Sequence, residues 1–94
     1  MPVFCLEPIT ANLDDPTWRA SLFKEACWII ARDQIDARYQ LQGIALKMVD
    51  MAPGKNILYS PWLNPHIVEC VEDIHPPVSM KEGTVWTRSG KTYS

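Results

Sequence analysis

Hydrophobic positions along this chain change their spacing several times, and each change marks a new element. The first apolar group (Val3, Phe4, Cys5, Leu6 and Ile9, set about Pro2 and Pro8) is short and rich in β-branched and aromatic residues, which predicts a strand over residues 2–10. Proline donates no N–H, so Pro8 belongs at a sheet edge or a strand end. A polar connection covers 11–16. Asp15-Pro16 has the form of a helix cap and first helical residue, so a turn or two of helix is expected over 16–23. Residues 26–31 are then apolar without a break, as in a strand buried on both faces. No Gly or Pro interrupts Thr17 to Gln42, so one long helix through this stretch is the rival reading. The strand is preferred because it leaves Asp33 where a helix cap is needed.

After Asp33 the period becomes helical. Ala37, Leu41, Ile44, Ala45 and Met48 form one stripe, with Asp36, Gln40, Gly43, Lys47 and Asp50 opposite, which predicts a helix from Gln34 to Met51. Asp36 places a second acid in the first turn, beside the positive end of the helix dipole. Ile35, Tyr39, Leu46 and Val49 widen the apolar arc beyond what one sheet face requires. Pro53-Gly54 closes the element. Residues 55–65 read as an ordered loop about Trp62, 67–74 as a half-buried third strand with Glu69, Glu72 and Asp73 exposed, and 84–87 as a short fourth strand. The segment 89–94 reads as a mobile tail. The expectation is one α+β domain over 1–94 with its core in 2–88. Its sheet has three or four mostly antiparallel strands, with one long helix packed on one face.

Composition sharpens this in two ways. Four tryptophans in 94 residues are many for so small a core, and they point to a shared interface or an aromatic groove. A net charge of −2 weighs against binding duplex DNA through its phosphates. No apolar run approaches the roughly 20 residues that cross a bilayer, and residues 1–8 lack the basic and apolar regions of a signal peptide. Three irregularly spaced cysteines (Cys5, Cys27, Cys70) make a poor disulfide framework, so reduced thiols in a cytoplasm are expected.

The chemical motifs are weak. Arg88-Ser89-Gly90-Lys91-Thr92 looks like the end of a phosphate loop. The glycine that loop needs five positions before Gly90 is Val85, however, and only Tyr93 and Ser94 follow where a helix is required. His66, Cys70 and His75, with Cys5, offer ligand types suited to zinc. On an extended strand His66 and Cys70 would lie about 13 Å apart, and His75 would face the other way. Cys27 sits in the most apolar run, where burial makes a thiol inert. Asp14-Asp15 and Glu72-Asp73 are adjacent pairs that do not face one another. Trp86, Arg88, Lys91 and Tyr93 interleave aromatic and basic groups, a composition used in stacking on single strands, but the local charge excess is too small to favour nucleic acid. No catalytic residue, metal site or cofactor is assigned.

Trp18-Arg19-Ala20-Ser21, the apolar run ending at Ala31, Asp36-Ala37-Arg38 and Pro61-Trp62 together resemble a pattern found in small uncharacterised bacterial α+β proteins. The similarity spans residues 3–72. It implies the order strand, turn with Trp18, strand, helix, loop with Trp62, strand, and supplies no site residues. The functional expectation is a non-enzymatic module of the bacterial cytoplasm. It would bind itself, most simply as a dimer, or a protein partner, with Trp18, Tyr39, Trp62 and Trp86 as exposed anchors and Trp28 in the core. The alternative is a small-molecule-binding or catalytic domain whose pocket lies at a subunit junction, lined by Trp18, Trp62 and Tyr39, with His66 or Cys70 supplying polar chemistry.

Overall fold

Strand β1 (Val3–Pro8) is an inner strand, paired antiparallel with β2 (Cys27–Ile30) on one side and β3 (Val68–Glu72) on the other. Its prolines are tolerated because Pro8 is its last residue. The computed structural model describes residues 1–46 and 60–94. Strands β4 (Val85–Thr87) and β5 (Thr92–Tyr93) extend the sheet beyond β2, giving five strands in the order β3-β1-β2-β4-β5, each pairing antiparallel. The α+β class is as expected, with one more strand. Residues 27–30 are strand and not helix, and the cap that the strand reading reserved for Asp33 is present. Its carboxylate accepts the Asp36 N–H at 2.8 Å, while the Asp36 carboxylate reaches back to the Arg32 N–H at 2.9 Å.

Helix α1 runs from Gln34 to Ala45, shorter than its apolar period suggests. Leu46 leaves the helix with ψ 126°. The reason is a tertiary one: the Ala45 carbonyl accepts the Leu22 N–H at 2.8 Å, and Ser21 and Leu46 form an antiparallel bridge. The continuation expected over 47–51 and the loop expected over 55–59 lie outside the described residues. Ala37, Leu41 and Ala45 are buried, as the stripe requires, with Ile44 packed partly against the core.

The register divides the sheet into two faces. Phe4, Leu6, Cys27, Ile29, Val68, Cys70, Val85 and Thr87 share the inner face with the core. On the outer face Val71, Cys5, Trp28, Trp86 and Thr92 stand in one row across all five strands. A helix of 12 residues is about 18 Å long and 10 Å wide, whereas five strands span about 19 Å across. Helix α1 therefore leaves part of the inner face open, and an aromatic chain completes the cover. Trp18 meets Trp62 edge to face at 5.2 Å, Trp62 meets Phe23 at 5.6 Å, and Phe23 stacks on Tyr93 at 4.6 Å.

That last contact corrects the reading of 89–94 as a mobile tail. Thr92 and Tyr93 are paired with Trp86 and Val85, and the turn between β4 and β5 is ordered by its own bonds. Gly90 takes φ 89°, a left-handed value that lets its N–H reach the Thr87 carbonyl at 2.8 Å. The buried Thr87 hydroxyl closes the turn, donating to the Lys91 carbonyl and accepting the Lys91 N–H, both at 3.2 Å.

The β3 edge is blunted by side chains. Val68 donates its N–H to the Asn64 carbonyl, and its own carbonyl accepts from Arg38 Nη2 at 2.8 Å. Arg38 Nη1 donates to the Trp62 carbonyl at 3.1 Å, so one guanidinium ties α1 to both the Trp62 turn and the edge strand. Arg38→Ala removes two charge-assisted bonds and should lower unfolding free energy by about 2–3 kcal/mol in urea titration, with Arg38→Lys intermediate. Gly43 lies exposed inside α1, and a methyl group there would meet nothing within 4 Å. Gly43→Ala should therefore stabilise the fold by about 0.5–1 kcal/mol, read as a melting temperature several degrees higher.

Candidate functional site

The four indoles are divided by the fold in a way their sequence positions conceal. Asp15 caps the 3-10 turn Pro16–Ala20 by accepting the Thr17 N–H at 2.9 Å, and this turn lowers Trp18 into the core. Ser60 caps the turn Pro61–Leu63 in the same manner and delivers Trp62, which is wholly buried. Both rings have their polar edge satisfied: Trp18 Nε1 donates to the Asn12 carbonyl at 3.1 Å, and Trp62 Nε1 to Ser21 Oγ at 2.9 Å. Trp18 and Trp62 are thus interior groups, contrary to the expectation of exposed anchors. In both cases a Pro-containing turn with an aspartate or serine cap carries the ring into the core. Of the three residues expected to line a junction pocket, Trp18 and Trp62 are buried within the chain and Tyr39 is exposed.

Trp28 is buried as expected, but on the outer side of the sheet, where Nε1 donates to Asp73 Oδ2 at 3.0 Å. Trp86 lies directly opposite on β4, half-buried, with ring centres 5.1 Å apart. The aromatic–basic series at 86–93 is split by strand alternation. Trp86 lies on the outer face, whereas Tyr93 stacks inward on Phe23, and Arg88 pairs with Glu7 at 3.2 Å.

The thiols divide in the same way, Cys27 and Cys70 flanking Leu6 on the inner face and Cys5 on the outer. Burial pushes the Cys5 thiol up to about 11, with Glu7 and Asp73 adding to the effect. Burial also raises Cys27 well above the ordinary thiol value, and it raises Cys70 against the opposing pull of Arg38. His66 and His75 are exposed and engaged through their backbone N–H groups with Asn64 and Asp73. Among the described residues no three His, Cys, Asp or Glu side chains are placed to hold a metal ion, and no helix is long and apolar enough to cross a membrane.

Among the described residues the large apolar side chains left exposed are Met1, Leu22, Ile35, Tyr39, Leu46, Val71 and Ile74. Ile35 is 68% and Tyr39 62% exposed, one turn apart on the same side of α1, and Leu46, which is also exposed, follows the last residue of the helix. The backbone pairing of Ser21 and Leu22 with Leu46 and Ala45 brings exposed Leu22 to the same end. Ile35, Tyr39 and Leu46 were legible as surplus apolar positions; Leu22 carried no such signal, because a loop residue beside buried Phe23 has no period. No protein-family model, curated protein or solved structure matches this chain.

The electrostatics predict a stability plateau. The carboxyls of Asp15, Asp36, Asp73 and Glu25 lie below their ordinary values because native hydrogen bonds hold the charged form, led by Thr17, the Arg32 backbone, Trp28 and the Ser89 backbone respectively. Their stabilisation is present above the unfolded values of 3.8 and 4.5 and is lost as pH falls through the lowered ones. The thiols act oppositely: neutral in the fold, they cost stability as pH rises from the unfolded value of 9.0 towards about 11. Urea midpoints should be flat between about pH 5 and 9 and fall on both sides. Native thiol labelling at pH 7 should be far slower than in urea, with Cys27 last.

Proposed function

We propose that this chain is a non-enzymatic interaction module of the cytoplasm that binds a second copy of itself through α1. The observation that carries the reading is the exposed apolar strip of Ile35, Tyr39 and Leu46, with Leu22 beside its end. The inner face of the helix is already occupied by Ala37, Leu41 and Ala45, so this strip is additional to the demands of the core. A two-fold axis beside α1 would set the strip against its own copy and bury Tyr39, a residue type enriched where interfaces gain most of their binding energy.

The thiol chemistry supports a role without catalysis. Raised values leave Cys5, Cys27 and Cys70 protonated near neutrality, when a nucleophile needs the thiolate. The half-buried Trp86, the remaining member of the four expected anchors, offers a second and smaller contact on the outer sheet face.

Light scattering and sedimentation at micromolar concentration should give a dimer. Tyr39→Glu and Leu46→Glu should each weaken it by at least about 30-fold, as loss of a hot-spot side chain does, with circular dichroism and melting temperature near wild type. A wild-type chain that remains monomeric to the highest concentration measured overturns the assignment.

A further inference from the structure

At one end of the sheet, where β1 stops at Pro8 and β4 gives way to Arg88, there is an open cleft of about 260 Å³. Four charged side chains line it, Glu7, Lys24, Glu25 and Arg88, together with Thr10, the partly exposed apolar groups Pro8 and Leu13, and the buried Ala26. It shares no residue with the α1 strip.

The walls are held in place by the fold. Glu25 Oε1 accepts the Ser89 N–H at 2.7 Å, which fixes that carboxylate to the β4–β5 turn, and Lys91 lies near enough to add to the positive field around it. The Arg88 backbone N–H donates to the Ala26 carbonyl at 2.9 Å, and its guanidinium meets Glu7 at 3.2 Å. Both side chains of that pair are more than half exposed, so each retains hydrogen-bonding capacity towards a ligand. Lys24 is exposed and forms no salt bridge among the described residues.

Two carboxylates and two cations give the lining no net charge. A purely anionic or cationic ligand would meet as much repulsion as attraction there. A molecule carrying both charges a few ångströms apart can satisfy both walls at once. The volume falls just below the range of about 300–1,000 Å³ usual for drug-sized ligands, so the occupant is small.

We propose that this cleft binds a free α-amino acid with an apolar side chain. Its ammonium group would face Glu25 and Glu7, its carboxylate Lys24 and Arg88, and its side chain Pro8 and Leu13. The proposal gives the domain a small-molecule input on a surface separate from its association face.

Leucine, titrated into isotopically labelled protein and followed by amide NMR, tests this. Saturable shifts should centre on the amides of Glu25, Ala26, Arg88 and Ser89, with a Kd of about 1 mM or tighter. N-acetylleucine lacks the ammonium and leucinamide the carboxylate, so each should bind at least about tenfold more weakly, a loss of roughly 1.4 kcal/mol. Lys24→Met and Glu25→Gln should each weaken leucine by a similar factor; Lys24→Met leaves the Glu25 anchor to the turn untouched. The proposal is overturned if leucine gives no saturable shift up to roughly 20 mM, if the blocked compounds bind equally well, or if both variants bind as wild type.

Discussion

Covering one face of a five-stranded sheet with a single helix is the constraint on which the rest of this structure depends. Helix α1 is both too short and too narrow to shield the whole face, and an unshielded remainder would leave Val85, Ile29 and Thr87 against water. The chain meets the shortfall with large flat side chains delivered from turns. Trp18, Trp62, Phe23 and Tyr93 form a continuous aromatic series from the first connection to the last strand. Aromatic pairs in edge-to-face and stacked geometry contribute beyond the area they bury, so a few such residues replace what a second helix would supply.

This arrangement places strict demands on polar groups. Each buried indole N–H has an acceptor, and among the described residues no buried side-chain nitrogen or oxygen is left without a partner. Arg38 is the most economical of these devices, because one planar guanidinium on α1 bonds the carbonyls of both Trp62 and Val68, far from it in sequence. One of these bonds occupies the carbonyl of Val68, the first residue of the edge strand β3, where unpaired backbone groups invite pairing with another chain.

Of the four indoles only Trp86 is left half-buried; among the described residues the large apolar side chains left exposed are Met1, Tyr39 and aliphatic groups. The excess of indole is shared between the two sheet faces, Trp18 and Trp62 covering the inner one and Trp28 and Trp86 meeting on the outer. On α1 the surplus is Ile35 and Tyr39 with Leu46 at its end, and Val71 and Ile74 are exposed elsewhere. The neutral, charge-lined cleft at the other group of residues adds a polar surface to an otherwise apolar reading, and it owes its form to the β4–β5 turn reaching back to Glu25.

Local chemistry settled much of the fold. A proline-bounded run, an unbroken apolar stretch followed by Asp33, and a stripe at Ala37, Leu41 and Ala45 were enough to name two strands and a helix, because side-chain period and cap geometry act over a few residues. Tertiary structure decided where α1 stops, since the Ala45 carbonyl is claimed by Leu22, and it made a strand of Thr92–Tyr93, since Phe23 supplies the ring on which Tyr93 stacks. It also decided which tryptophans lie inside and which four charges share a cleft. Those outcomes depend on contacts between residues distant along the chain, and no spacing within a single element records them.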